Sequence, residues 1–189
     1  MEKKTLFTTK KTVLAAMLAA LTVAGSALRI TLPIDIAGTT SFHLGNIMCA
    51  LSGILLGPWL GGLAAGMGSA IYDMMNPLYI SEAWITFLTK AAYGIAAGLV
   101  MGLGKKEWSY GKGIAATVAG ALTYAVLYLG KTYFYSGLLL KGLTPEAALL
   151  TVVSKLPATA FNAAVAVIFA PILAAAIHNG LQKSHLTLE

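Results

Sequence analysis

Charge is scarce in this 189-residue chain: only 11% of residues are Asp, Glu, Lys or Arg, where a soluble domain carries about 25%. Acidic groups are scarcest, seven against thirteen basic ones. A proton or sodium relay through a membrane usually uses more acidic groups at membrane depth than so few can supply. Cysteine is almost absent; Cys49 stands alone in an apolar stretch, so no intramolecular disulfide can form. The three histidines (His43, His178 and His185) are dispersed, no HExxH occurs, and no Cys/His set has zinc spacing, so no metal is expected. No phosphate-cradling loop is present either. Gly130-Lys131-Thr132 resembles the tail of one, but the glycine required five positions earlier is Ala125. These absences exclude an ordinary cytosolic enzyme and an ATPase with its own nucleotide site. The net charge of +6 does not signal nucleic acid, because the basic residues gather at the ends of apolar runs instead of lining one polar face.

Apolar residues are what the chain has, 58% of the total, with 20 glycines and a mean hydropathy of +0.78. That composition belongs in a bilayer, and at about 20 residues per span the length allows at most six or seven helices. Six apolar segments are expected as helices at about 12–30, 43–56, 59–75, 83–103, 114–135 and 147–177, making one integral membrane domain over residues 1–189. The first follows a basic head and could be mistaken for a signal peptide, but its run exceeds an h-region of about 7–15 residues, so it is expected to stay uncleaved. Arg29 closes it, and a polar stretch with proline, Thr31 to Ser41, comes next. Gly57-Pro58 separates the second and third segments, both short for a span, and short segments of this kind line cavities. Thr144-Pro145-Glu146 reads as a helix start. The sixth segment is either one long helix or one bent at Pro157 or Pro171. Eight basic residues (Lys3, Lys4, Lys10, Lys11, Lys105, Lys106, Lys112 and Lys183) fall on one side if the N-terminus is inside. The positive-inside bias then puts both termini in the cytoplasm.

Small residues four apart recur at Gly57/Gly61, Gly62/Gly66, Gly94/Gly98 and Gly98/Gly102, which suits close packing of helices within the chain. Ala15, Ala16, Ala19 and Ala20 form a similar stripe on the first helix that could serve packing or dock a membrane partner.

Polar groups cluster toward the outer ends of five helices. His43 and Asn46 open the second; Tyr72, Asp73 and Asn76 close the third; Glu82, Trp84, Thr86 and Lys90 open the fourth. Tyr128, Lys131 and Tyr135 share a face of the fifth, and Ser154, Lys155, Thr159 and Asn162 stand on the sixth. Together they suit a water-accessible pocket in which aromatics sandwich a flat ring while Asn, Lys and Asp hold its polar edge. Each has a plainer reading. Asp73 could pair with Lys90 or Lys131; Trp84, Tyr79 and Tyr135 could form an interfacial belt. Lys131 and Lys155 could snorkel, and His43 could be an interfacial, hydrogen-bonded histidine. The convergence carries the pocket, not any one residue.

The run from Phe42 (FHLGNIMCALSGILLGP) through Trp59 (WLGGLAAGMGSAIYD) to Trp84 (WITFLTKAAYG) resembles the substrate-binding S component of energy-coupling factor (ECF) vitamin transporters. The shared pattern is an L-G-N/D helix, an L-x-G-P turn, a G-x-G-S-A-x-x-D helix end and a T-x-x-x-K helix, departing at Ala91 where glycine is usual. The resemblance implies an all-α bundle of six transmembrane helices with both termini cytoplasmic, in the cytoplasmic membrane of a bacterium or archaeon. It implies a non-enzymatic subunit that binds a water-soluble vitamin from outside. Its partners would be a membrane coupling subunit, met through the alanine stripe, and two ATPase subunits. The chain itself would bind no cofactor; ATP would be used by the partners. Riboflavin, pantothenate, pyridoxine and hydroxymethylpyrimidine are all candidates, the lysines suiting an anion and the aromatics a flat heterocycle. The alternative is a stand-alone ion-coupled secondary carrier with Asp73 or Glu82 as its coupling acid.

Overall fold

The computed structural model describes residues 8–35, 38–104 and 108–184, with the backbone alone over 32–35 and 38–40. Lys3, Lys4, Lys105, Lys106 and His185 lie outside the described residues. The elements are α1 (Thr9–Ala27), a hairpin of β1 (Arg29–Asp35) and β2 (Gly38–His43), α2 (Gly45–Leu56), α3 (Pro58–Met74), α4 (Ala83–Gly102), α5 (Tyr110–Lys131) and α6 (Pro145–Lys183). A single 3-10 turn, Ile80–Glu82, leads into α4, and α5 continues as a π-helix over Thr132–Leu140.

Among the described residues, four helical stretches are long and apolar enough to cross a membrane: Thr9–Ala27, Ile80–Gly102, Tyr110–Leu140 and Pro145–Lys183. At 1.5 Å per residue, the 12 residues of α2 reach only about 18 Å, against a hydrocarbon core of about 30 Å. That helix is enclosed instead: it touches α1, α3, α4, α5 and α6, and most of its residues are buried. The outer surface is apolar, with Met17, Trp59, Val126, Leu150 and Phe161 exposed, while Asn46, Ser52, Ser69, Thr89, Lys90 and Thr151 are buried. Apolar outside and polar within is the arrangement a bilayer selects.

Glycines set how closely the helices approach. A Cβ on Gly53 would overlap the Gly94 carbonyl, one on Gly94 would sit 2.8 Å from the Gly62 Cα, and one on Gly98 would strike the Pro58 nitrogen, so α2, α3 and α4 meet backbone to backbone. Gly68 meets the Ala19 carbonyl in the same way and brings α1 onto α3. A Cβ on Gly102 would meet nothing within 4 Å, so this glycine sets no close approach. Gly57 serves a different purpose. It turns the chain between α2 and α3 with φ +79°, a conformation that disfavours any side chain, and Pro58 begins α3 at its first position.

The structure corrects several boundaries. The first helix ends at Ala27, and Arg29 belongs to a strand. Within the stretch Thr31 to Ser41, residues 31–35 and 38–41 belong to two antiparallel strands in which Arg29 faces His43 and Thr31 faces Ser41. His43 therefore ends β2 and does not open a helix. The fifth α-helix begins at Tyr110 and ends at Lys131, and the π-helix carries the chain through what reads as a loop after Tyr135. The sixth segment is one 39-residue helix that contains both Pro157 and Pro171. Its N-terminus is capped by Thr144, whose hydroxyl accepts from the Ala147 N–H at 3.3 Å.

Candidate ligand cavity

The hairpin, the end of α3, the start of α4, the end of α5 and the first half of α6 enclose a cavity of about 370 Å³, within the usual range of small-molecule sites, about 300–1,000 Å³. Among the described residues, its wall combines serine, threonine and tyrosine hydroxyls with five cationic and two acidic side chains.

The floor is built on α4 and α5. Lys90 is buried; its ammonium donates to Asn46 Oδ1 and lies 3.7 Å from the centroid of the Tyr124 ring. Tyr124 stacks between Tyr93, at 5.9 Å, and Tyr128, at 5.4 Å. Tyr93 is fully buried and packs its ring against Gly120. An uncompensated ammonium at this depth would be expensive; an amide oxygen and an aromatic face together make it tolerable.

One wall is closed by the hairpin. The Arg29 Nε–H donates to the Ser26 carbonyl at 3.0 Å, and its guanidinium lies 4.4 Å from the Tyr72 ring and 4.9 Å from the Tyr79 ring. Asn162 of α6 fastens the other strand: its amide oxygen accepts from the His43 N–H at 3.0 Å and its NH₂ donates to the Ser41 carbonyl at 3.0 Å. The Phe42 and Phe161 rings meet edge to face beside this latch. His43 Nδ1 accepts from the Gly45 N–H at 3.2 Å, satisfying an orphan donor of the α2 N-terminus. Burial, aided by Lys90 and Arg29, holds the His43 imidazole well below its ordinary pKa. Both effects favour the neutral ring, and with Nδ1 accepting, Nε2 is the nitrogen left to carry its proton.

The opposite wall is an acid held between two donors. Lys131 pairs with Glu82 Oε2 at 2.5 Å, and the Ser136 hydroxyl donates to Glu82 Oε1 at 2.5 Å. Lys131 also stands 5.6 Å from the Tyr128 ring. Asp73 interacts with the Thr86 hydroxyl and, at longer range, with Lys131, Lys90 and Arg29. The close ion pair of Lys131 is thus with Glu82, not Asp73.

Of the side chains expected from sequence, His43, Asn46, Tyr72, Asp73, Lys90, Tyr128, Lys131, Lys155 and Asn162 line this cavity together with Glu82, Thr86 and Thr159. Asn76, Trp84 and Tyr135 do not. Asn76 caps its own turn, accepting from the Leu78 N–H at 3.0 Å. Trp84 is 54% exposed and donates to the Tyr135 hydroxyl at 3.3 Å, an aromatic pair on the outer surface. Tyr135 leaves the Tyr128/Lys131 face because the α-helical period stops at Lys131, and a π turn re-aims the side chains beyond it. Arg29, Tyr79 and Tyr124 join the site although the sequence pattern does not single them out for it. Tyr124, four residues before Tyr128, is detectable by spacing. Arg29 is not, because it reads as the end of a helix. Of the alanine stripe on α1, Ala16 and Ala20 are exposed, whereas Ala15 and Ala19 are half-buried.

Two comparisons bear on this geometry. A family model described as ECF-type riboflavin transporter, S component, matches residues 6–179. A Pyrococcus woesei protein, described as an uncharacterized protein in the gap 3′ region, is 32% identical over 118 residues, 62% of this chain and 74% of its own length.

Proposed function

The chain belongs to the family of ECF-type riboflavin transporter S components, and from that membership we propose that the cavity beneath the hairpin is where it captures its vitamin. The family makes it a multi-pass membrane subunit of vitamin uptake and not an enzyme. The observation that supports the site is convergence: side chains from α2, α3, α4, α5, α6 and the hairpin meet around one space. Stacked tyrosines offer flat faces, and Asn46, Lys90, Asp73 and His43 offer polar atoms for a ring edge.

Riboflavin is the first substrate to test, with pantothenate, pyridoxine and hydroxymethylpyrimidine behind it. The six helices would all lie in the membrane with both termini on the cytoplasmic side. The cavity would then face outward, where a scarce nutrient is met. Two ATPases and a membrane coupling subunit would supply the energy, since the sequence shows no nucleotide site. The exposed alanines Ala16 and Ala20 would lead the docking stripe, with Ala15 and Ala19 beside them.

The decisive experiment purifies the chain in detergent, identifies any retained small molecule by mass spectrometry, and titrates the emptied protein with the four vitamins. Submicromolar binding of one of them is expected. Retention and binding of none would refute the reading. In reconstituted uptake, Ala16→Trp or Ala20→Trp should stop transport and spare binding; unimpaired transport by both would place the docking face elsewhere.

A further inference from the structure

A second space lies behind one wall of the cavity, on the lipid side. The helices α4 and α5 belong to stretches long and apolar enough to span the membrane. They leave a groove of about 360 Å³ between Leu88 and Thr89 on one side and Leu127, Gly130, Lys131 and Phe134 on the other. Its rim is apolar and open: Leu88, Leu127 and Phe134 are exposed. Its floor turns its polar groups away. The Thr89 hydroxyl donates to the Thr86 carbonyl at 3.2 Å, and the Lys131 ammonium pairs with Glu82, so the methylene stem of the lysine is what remains to line the groove. Thr89 and Lys131 also line the ligand cavity, and a single layer of side chains therefore separates the two spaces. The notch is open because Gly130 has no side chain; a Cβ there would meet nothing within 4 Å.

Water needs polar partners and finds none turned into this groove. A second helix fits poorly as well. Helices approach closely in lipid over small residues repeated four apart, but the positions four before and four after Gly130 are Val126 and Phe134, both bulky and exposed. A lone gap between bulky neighbours suits a flexible hydrocarbon chain. The Trp84–Tyr135 pair marks where such a chain would end. Tyr135 lines the groove, its ring meets that of Trp84 edge to face, and exposed Trp and Tyr side chains of a membrane protein gather at headgroup level.

We propose that the groove between α4 and α5 seats one hydrocarbon chain of a membrane lipid, which packs behind Thr89 and Lys131 and backs the cavity wall from the bilayer side. The inference concerns the lipid and holds whichever vitamin the cavity takes.

The test purifies the full chain in a steroid-based detergent, which brings no flexible chain of its own, and titrates it with dioleoylphosphatidylcholine. Native mass spectrometry counts bound lipid, and thermal unfolding is followed in parallel. One lipid per chain is expected to bind ahead of the rest and to raise Tm saturably. Gly130→Phe, or Leu127→Trp should that variant fail to fold, fills the groove; it should cut occupancy of this lipid about fivefold or more and remove the Tm rise. Gly102→Phe, at a glycine of α4 just as open but outside the groove, should bind as the parent does. A parent with no saturable site, equal binding by the parent and the filled variant, or equal losses in both glycine variants overturns the inference. So does a parent dimer that Gly130→Phe dissociates, which would make the occupant a helix of a second copy.

Discussion

Replacing Asn46 with leucine would test whether the buried lysine is held by the amide or merely lies beside it. Asn46 is 2% exposed and Lys90 5%, so only water inside the cavity could replace the lost acceptor, and that in part. The ammonium would keep the face of Tyr124 but lose the hydrogen bond of a charged donor, about 1.5–3 kcal/mol. A fall in Tm of about 2–4 °C per kcal/mol in a chain of this size makes the expected drop roughly 3–12 °C. Lys90→Met should cost less, because the amide oxygen it strands is neutral. Asn46→Leu combined with Lys90→Met should return to near the parent value or above it, as apolar replacements of buried ionic groups often do. The assay is thermal unfolding in detergent followed by intrinsic fluorescence, with ligand binding measured in parallel. The double variant should be stable and unable to bind. If it proved less stable than both single variants, the lysine would be structural and the reasoning wrong.

Asn162→Leu removes both latch bonds to the hairpin, so amide exchange over residues 29–43 should rise about tenfold or more; unchanged protection would show that the Phe42–Phe161 contact suffices. His43 supplies a pH dependence. Its pKa is lowered on folding, so at acidic pH the unfolded chain binds a proton that the folded chain refuses. Its contribution therefore falls as pH drops below about 6.5, by up to about 1.4 kcal/mol per pH unit. His43→Gln should flatten that part of the unfolding profile, and a profile identical to the parent would place the titration elsewhere. Gly53→Ala should destabilise by about 1–3 kcal/mol through overlap with the Gly94 carbonyl. Gly102→Ala, with nothing within reach, should stay within about 0.5 kcal/mol; equal effects in unfolding experiments would contradict the backbone contact.

How much of the molecule is legible in its sequence depends on where each signal lies. The helices are visible because apolar runs in a chain with so few charges have only one home. The cavity is visible because its charged and aromatic residues are confined to neighbouring helix ends, and burial at membrane depth leaves few reasons for Lys90 or Asp73. The hairpin is not. Its residues mix polar and apolar types and include Pro33 and Gly38, which read as a loop, and its second strand is held by Asn162, well over 100 residues away. Arg29 is lost with it. Trp84 and Tyr135 are misplaced because wheel arithmetic assumes one period throughout, and polar or aromatic character alone does not separate a cavity wall from a lipid-facing surface.

The π segment after Lys131 has a consequence for how this site is counted. On an ordinary helix two residues five apart point about 140° away from each other, and a lysine and a serine so spaced could not share one acid. With bonds closing at i→i+5, Lys131 and Ser136 come round to the same side and hold the two oxygens of Glu82 between them. The clamp is therefore a property of register more than of composition. The same residues wound one notch tighter would present Tyr135 beside Lys131 and turn the serine away. Beyond Lys131, inserting or deleting a residue changes which neighbour meets the acid, whereas a substitution changes only what stands at its own position.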